Sequence, residues 1–158
     1  MRSGEELRYL VLAAQREGNR IFAAGVKPLG LTPAWAEVIA VLSEREPLTI
    51  RELGLLLVCE GDHPSRLVKR MTAAGLLTTE APPGDERARW LRLTPAARAL
   101  LPRLREVEDQ LHTTIETAFD PDALEACRTV LGGFVDGLPA GDALQRRRAE
   151  PAAAQRSS

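Results

Sequence analysis

Apolar residues recur at steps of three and four along most of this chain, and breaks in that rhythm carry glycine, proline or capping residues. Between Glu5 and Ala24, Leu7, Leu10, Val11, Ala14, Ile21 and Phe22 share one stripe, with Arg8, Gln15, Arg16 and Glu17 largely between them, which predicts a long amphipathic helix. The segment GVKPLG reads as a loop. LTPAWAEVIAVLSERE then restarts a helix, with Thr32 as N-cap, Pro33 in the first position and Trp35, Val38, Ile39 and Leu42 as its apolar set. In PLTIRELGLLLV, Thr49-x-x-Glu52 is a capping box that starts a short helix at Ile50, ending near Val58.

After the loop CEGD, the stretch DHPSRLVKRMTAAGLL predicts a further helix, with Asp62 or His63 as N-cap, Pro64 in the first turn and Gly75 as the stop. Leu67, Val68, Met71 and Ala74 fall on one face. LLTTEA, PPGDE and RARWLRLT read as strand, turn and strand, Leu91 and Leu93 alternating with Trp90 and Arg92. Thr94 and Pro95 open a long helix through Leu100, Leu104, Val107, Leu111, Ile115 and Ala118, which Pro102 either kinks or marks as the true start. Asp120 and Pro121 open a last helix with Leu124, Cys127, Leu131 and Phe134 on one stripe. From Pro139 the composition turns to Ala, Gly, Gln, Arg and Ser with an RRR cluster, which predicts a disordered tail.

The order predicts a mainly α fold with a small β-hairpin wing: a winged helix-turn-helix core flanked by long N- and C-terminal dimerisation helices. The expected division is 1–30 for the N-terminal dimerisation helix, 31–94 for the core, 95–138 for the C-terminal dimerisation helices and 139–158 for the tail. The flanking helices carry more apolar stripe than the core can cover, hence the expectation of a homodimer.

Charge sharpens this picture only when it is mapped. The formal net charge is −1, yet Gly61–Arg92 holds six cations against four anions, and Leu93–Leu138 four cations against eight anions. In the helix after CEGD, a 100° step per residue sets Asp62, Ser65, Arg66, Lys69 and Ala73 opposite the apolar face, with Arg70 at the seam. Small and cationic residues on an exposed N-terminal half suit a major groove, where Arg and Lys bond guanine and Ser reads several bases. His63 and Pro64 place the positive helix start toward phosphates. At the hairpin turn, Arg87 and Arg89 are placed to enter a minor groove, and Asp85 to hold a guanidinium in position. The bland alternatives are a solvated charged face and a polar turn with a weak surface ion pair.

Three stretches, LTPAWAEVIAVLSEREPLTIRELGLLL, SRLVKRMTAAGLL and GDERARWLRLTPAARALL, together resemble the MarR-type transcriptional regulators over roughly Glu5 to Leu138. Asp85-x-Arg87 followed by Leu93-Thr94 is the most specific part; Ala97 departs from the glycine usual there. The resemblance implies a homodimer joined by its terminal helices, a recognition helix (63–75) in the major groove of a palindromic operator in double-stranded DNA, and a wing (82–92) in the minor groove. It makes Ser65, Arg66 and Lys69 base-reading candidates, Arg87 the minor-groove residue and Asp85 its support; repression is the commonest role in the family.

Other chemistry is thinner. Cys59 and Cys127 form no C-x-x-C motif, and Cys127 on an apolar stripe reads as a buried packing residue. Glu108, His112 and Glu116 share a helical face that could hold zinc, although a solvated acidic face is the plainer reading. No cofactor is implied. A small organic anion or phenolic effector in the crevice between the core and the dimer helices stays open. The absence of a Gly-rich phosphate loop and of a nucleophile-His-acid set argues against an enzyme. No apolar run nears the ~18 residues of a membrane span and no signal peptide is evident, so the expected location is the cytoplasm. The competing function is a winged-helix module that binds protein rather than DNA.

Overall fold

The computed structural model describes residues 1–58, 63–81 and 89–149. Along the chain run α1 (Ser3–Val26), a single tight turn (Lys27–Leu29), α2 (Pro33–Arg45), β1 (Leu48–Thr49), α3 (Ile50–Gly54), α4 (Pro64–Ala73), β2 (Leu77–Glu80), β3 (Trp90–Leu93), α5 (Pro95–Ala118), α6 (Pro121–Val135) and α7 (Pro139–Arg148). The starts of these helices follow from capping chemistry. Thr32 accepts the Trp35 amide at 3.3 Å, Thr94 accepts the Ala97 amide at 3.2 Å, and Asp120 accepts those of Asp122 and Ala123. Thr49 and Glu52 form the reciprocal capping box, the Thr49 amide donating to the Glu52 carboxylate at 2.7 Å.

The sheet is antiparallel with strand order β1-β3-β2. Leu77 lies opposite Leu93 and Glu80 opposite Trp90 in the hairpin, while Leu48 and Thr49 face Leu91 and Trp90 on the other edge of β3. Leu91 and Leu93 turn inward onto a core made by Val38, Ile39 and Leu42 of α2, Leu53 of α3, and Leu67, Val68 and Met71 of α4. Glu46 joins three elements at the rim of this core. Its carboxylate accepts the Leu93 amide at 2.7 Å and pairs with Arg98 of α5, and only 12% of its side chain is exposed. Glu46→Ala strips a partner from both groups, and the expected loss is about 1–3 kcal/mol in urea unfolding; a parent-like midpoint would show that Glu46 does not brace the sheet.

The flanking helices are covered only where they meet the core. Val26 is the one buried residue described in α1, Ala97 and Leu104 are those of α5, and α6 has none. Leu10, Ile21, Ile115, Phe119, Val130 and Phe134 stand exposed on a single chain. Cys127, expected in a buried packing role, is exposed as well, since α6 has no fully buried residue and its stripe is left largely uncovered on this chain.

Four further expectations are revised. First, α3 ends at Gly54 rather than near Val58; the Leu55 and Leu56 amides close the last turn and the Val58 amide goes to Glu37 instead. Second, α5 runs through Pro102 from Pro95 without a new start; Pro102 is exposed, so water can satisfy the Arg98 carbonyl that lacks its amide partner. Third, Ala74 is exposed as the C-cap of α4 rather than part of its apolar face. Last, 139–148 is helical and docked where a disordered tail was expected. Gly141 and Ala143 are buried, and the Arg45 guanidinium donates to the carbonyls of Arg147 and Ala149 at 2.9 and 2.6 Å. The small residues that looked like linker composition let α7 approach closely: a methyl group on Gly141 would collide with the Val135 carbonyl. Residues 150–158 lie outside the described part of the chain.

Candidate nucleic-acid interface

α4 carries the strongest segregation of faces in the molecule. Leu67 and Val68 are 4% exposed and Met71 is fully buried, so these three side chains seat the helix on the core. Ser65, Arg66, Lys69 and Arg70 are all exposed, Arg70 at the edge between the two faces. His63 is the N-cap by backbone conformation alone, its side chain making no capping bond, and Pro64 begins the helix with its ring close to Gly54 of α3. The N-terminal half of α4 thus offers an amide-rich, positively polarised end beside two cations and a hydroxyl.

The far end of α4 is held more firmly. Gly75, at φ +73°, donates to the Thr72 carbonyl at 3.0 Å and Leu76 donates to that of Met71 at 3.0 Å, a Schellman closure that needs the left-handed residue. The Thr94 hydroxyl donates to the Gly75 carbonyl at 2.7 Å while its oxygen caps α5. One side chain thereby ties the end of α4 to the start of the long helix. The pattern Thr94-Pro95 announced the cap, but nothing local in the sequence announces the second bond.

In the hairpin, Arg89 is exposed immediately before β3, whereas Asp85 and Arg87 fall outside the described residues. Arg92 pairs with Glu80 across the hairpin at 3.2 Å, so one of the cations of the basic middle region belongs to the sheet.

Glu37 is a buried charged residue that a sequence reading passes over. It is a lone acid within the apolar run AWAEVIAVL, 8% exposed, and its Oε1 accepts the Val58 amide and an Arg147 guanidinium N–H, each at 2.8 Å. A carboxylate in the middle of an apolar helix face is the signal that could have found it.

The metal candidates do not assemble. Among the described residues no group of three or more His, Cys, Asp and Glu side chains could hold an ion, so Glu108, His112 and Glu116 remain a helix face rather than a ligand set. Glu108 is half-buried, and that burial pushes its carboxyl above the ordinary value; nearby His112 and Arg147 draw it back, while Asp109 and Glu44 add to the rise. A carboxyl that holds its proton more tightly when folded contributes stability below the unfolded pKa, and loses it as pH rises through the folded one. Relative to the parent, Glu108→Gln is therefore expected to gain thermal stability as pH rises above the ordinary carboxylate range. A constant difference in melting temperature over that rise would contradict the assignment.

A crevice of about 720 Å³ lies between α1, α2, α5 and α7, lined in part by Gln15, Asn19, Phe22, Thr32, Leu111 and Ala140. No described helix is long and apolar enough to cross a membrane.

Comparison with known proteins agrees with this geometry. Residues 29–88 match the model of the MarR family. Over 132 residues the chain is 25% identical to the HTH-type transcriptional regulator MgrA of Staphylococcus aureus, spanning 83% of this chain and 88% of that protein. Among solved structures, a mutant MarR from E. coli complexed with operator DNA matches with a TM-score of 0.74 at 20% identity, over 82% of this chain and 94% of that one. BpsR of Bordetella bronchiseptica, whose structure is titled for regulation of DNA binding by 6-hydroxynicotinic acid, matches with a TM-score of 0.75 at 20% identity, over 87% and 98%. These two structures are alike in fold.

Proposed function

We propose that this chain, similar to the MarR-type winged helix-turn-helix regulators, is a transcriptional regulator of that kind, working as a homodimer whose two α4 helices read a palindromic operator and acting as a repressor. The observation that carries this reading is the exposed Ser65, Arg66 and Lys69 face of α4, opposite a side seated on the core by Leu67, Val68 and Met71. Ser65, Arg66 and Lys69 contact base edges; His63, Pro64 and Arg70 lie toward the phosphates; Arg89 flanks the minor groove. Arg87 and Asp85 keep the wing roles that the family resemblance implies. Half-sites about 34 Å apart would present both helices to one face of the duplex.

The alternative, a protein-docking module, would want an aromatic or leucine anchor on the outer face of α4. That face carries Ser65, Arg66, Lys69 and Ala73 instead. An electrophoretic shift against the intergenic DNA flanking the gene, with salt titrated, separates the two: DNA reading predicts binding that weakens steeply with salt, and a docking module predicts no shifted duplex at any salt.

An effector would enter the crevice of α1, α2, α5 and α7. Its lining combines Phe22 and Leu111 with the neutral polar groups of Gln15, Asn19 and Thr32 and includes no cation among the described residues. That chemistry favours an uncharged phenolic or amide ligand over an organic anion.

A further inference from the structure

We propose that α7 is a movable wall of the crevice between α1, α2 and α5, and that a small uncharged aromatic ligand bound there fastens α7 to the core. The proposal rests on the effector reading above and names the element that such a ligand would hold. The crevice of about 720 Å³ and a second cleft of about 370 Å³ have Val58 and Ala140 in common. The second cleft is lined further by Asp142, Ala143 and Arg146, the next turns of α7. The first turn of α7 therefore stands between two cavities, and its departure would open the crevice along that side.

The way α7 is held makes it movable. Its buried residues are Gly141 and Ala143, which together bring a single methyl group, and Leu144 is only half-buried, so apolar burial contributes little to docking. Polar bonds carry much of the rest. The Arg45 guanidinium of α2 donates to the Arg147 and Ala149 carbonyls at 2.9 and 2.6 Å, and Arg146 donates to the Leu55 carbonyl at 3.4 Å. Carbonyls at a helix end are satisfied almost as well by water, so α7 can open while the core stays closed. A ligand that touches Phe22 of α1, Thr32 before α2 and Ala140 of α7 bridges the wall to the body. Binding only the docked form, it draws the equilibrium toward that form.

The test uses the full chain with 4-hydroxybenzamide, an uncharged phenolic amide, and reads its affinity by calorimetry and the α7 amides by hydrogen exchange. Arg45 lies outside the crevice lining, and Arg45→Ala removes both carbonyl bonds. It is expected to speed α7 exchange and to weaken the probe about 10-fold by lowering the docked fraction. Saturating probe should slow that exchange back toward the parent's rate. Gly141→Ala, which drives α7 off the Val135 carbonyl, should reproduce the Arg45→Ala pattern. Ala140→Leu, which fills the crevice and leaves the Arg45 bonds in place, should weaken the probe while α7 exchange stays near the parent's. Parent-like probe affinity in both Arg45→Ala and Gly141→Ala would overturn the wall and leave the crevice a ligand site. So would α7 exchange that the bound probe does not slow, since α7 would then be docked for stability alone. If the parent binds no 4-hydroxybenzamide at millimolar concentration, the effector reading fails and takes the proposal with it.

Discussion

Arg66→Ala and Lys69→Ala are each expected to weaken operator binding by about 2–6 kcal/mol, or roughly 30-fold to 10⁴-fold. The range follows from symmetry. One base-edge contact contributes about 1–3 kcal/mol of discrimination, and in a two-fold dimer each substitution removes two copies. Both residues are exposed and stand off the buried face of α4, so their removal leaves the packing of Leu67, Val68 and Met71 intact. The unfolding midpoint should accordingly stay near the parent's while affinity falls. Competition with non-specific duplex distinguishes the roles: a base-reading side chain loses specificity when truncated, and a phosphate contact weakens all sequences alike while reducing the salt slope by about one. Variants that bind the operator like the parent at matched salt would remove α4 from the reading surface.

Phe134→Asp is expected to raise the dimer dissociation constant at least about 100-fold, which is close to 3 kcal/mol and within the range of a central aromatic anchor. Phe134 is 66% exposed on one chain, and Leu10 and Phe119 are each 59% exposed. Apolar area of this extent on α1, α6 and the end of α5 is area that the proposed second copy would cover. A carboxylate in that interface lacks a partner and must be stripped of water. Sedimentation velocity over a concentration series reads the change directly. Operator binding should fall with it, since each protomer alone holds one half-site. A variant that sediments as the parent does at every concentration would place the dimer contact elsewhere.

Much of this architecture is legible in single residues. Thr32, Thr49 with Glu52, Thr94 and Asp120 each open a helix at the position their chemistry predicts, because a cap acts on amides two or three residues away. The faces of α4 are legible for the same reason, since a 100° step needs no knowledge of the rest of the fold. What escapes is whatever depends on distant partners. β1 is two residues long, too short for any periodicity, and exists because Leu48 and Thr49 find Leu91 and Trp90. The run LLLV after Gly54 continues the apolar pattern of α3, yet Glu37, twenty-one positions before Val58, takes the amide that a longer helix would use. α7 looks like solvated tail because its composition is that of one; its arginines are matched to Glu37 and to the Leu55 carbonyl only in three dimensions. Cys127 fails in the opposite sense: its stripe is legible in the sequence, yet the residue stands exposed on this chain.

The bond from Thr94 to the Gly75 carbonyl has a mechanical consequence. It pins one end of α4 to α5, a helix of 24 residues, so α4 behaves as a lever with its fulcrum at the C-terminal end. At 1.5 Å per residue, Ser65 lies about 15 Å out along that arm. A tilt of about 10° sweeps its hydroxyl through roughly 2.6 Å, close to a full hydrogen-bond length, while Thr72 next to the pivot barely moves. Contacts at the helix start are therefore the most sensitive to any change in seating, and a shift of a few degrees is enough to exchange a specific complex for a loose one.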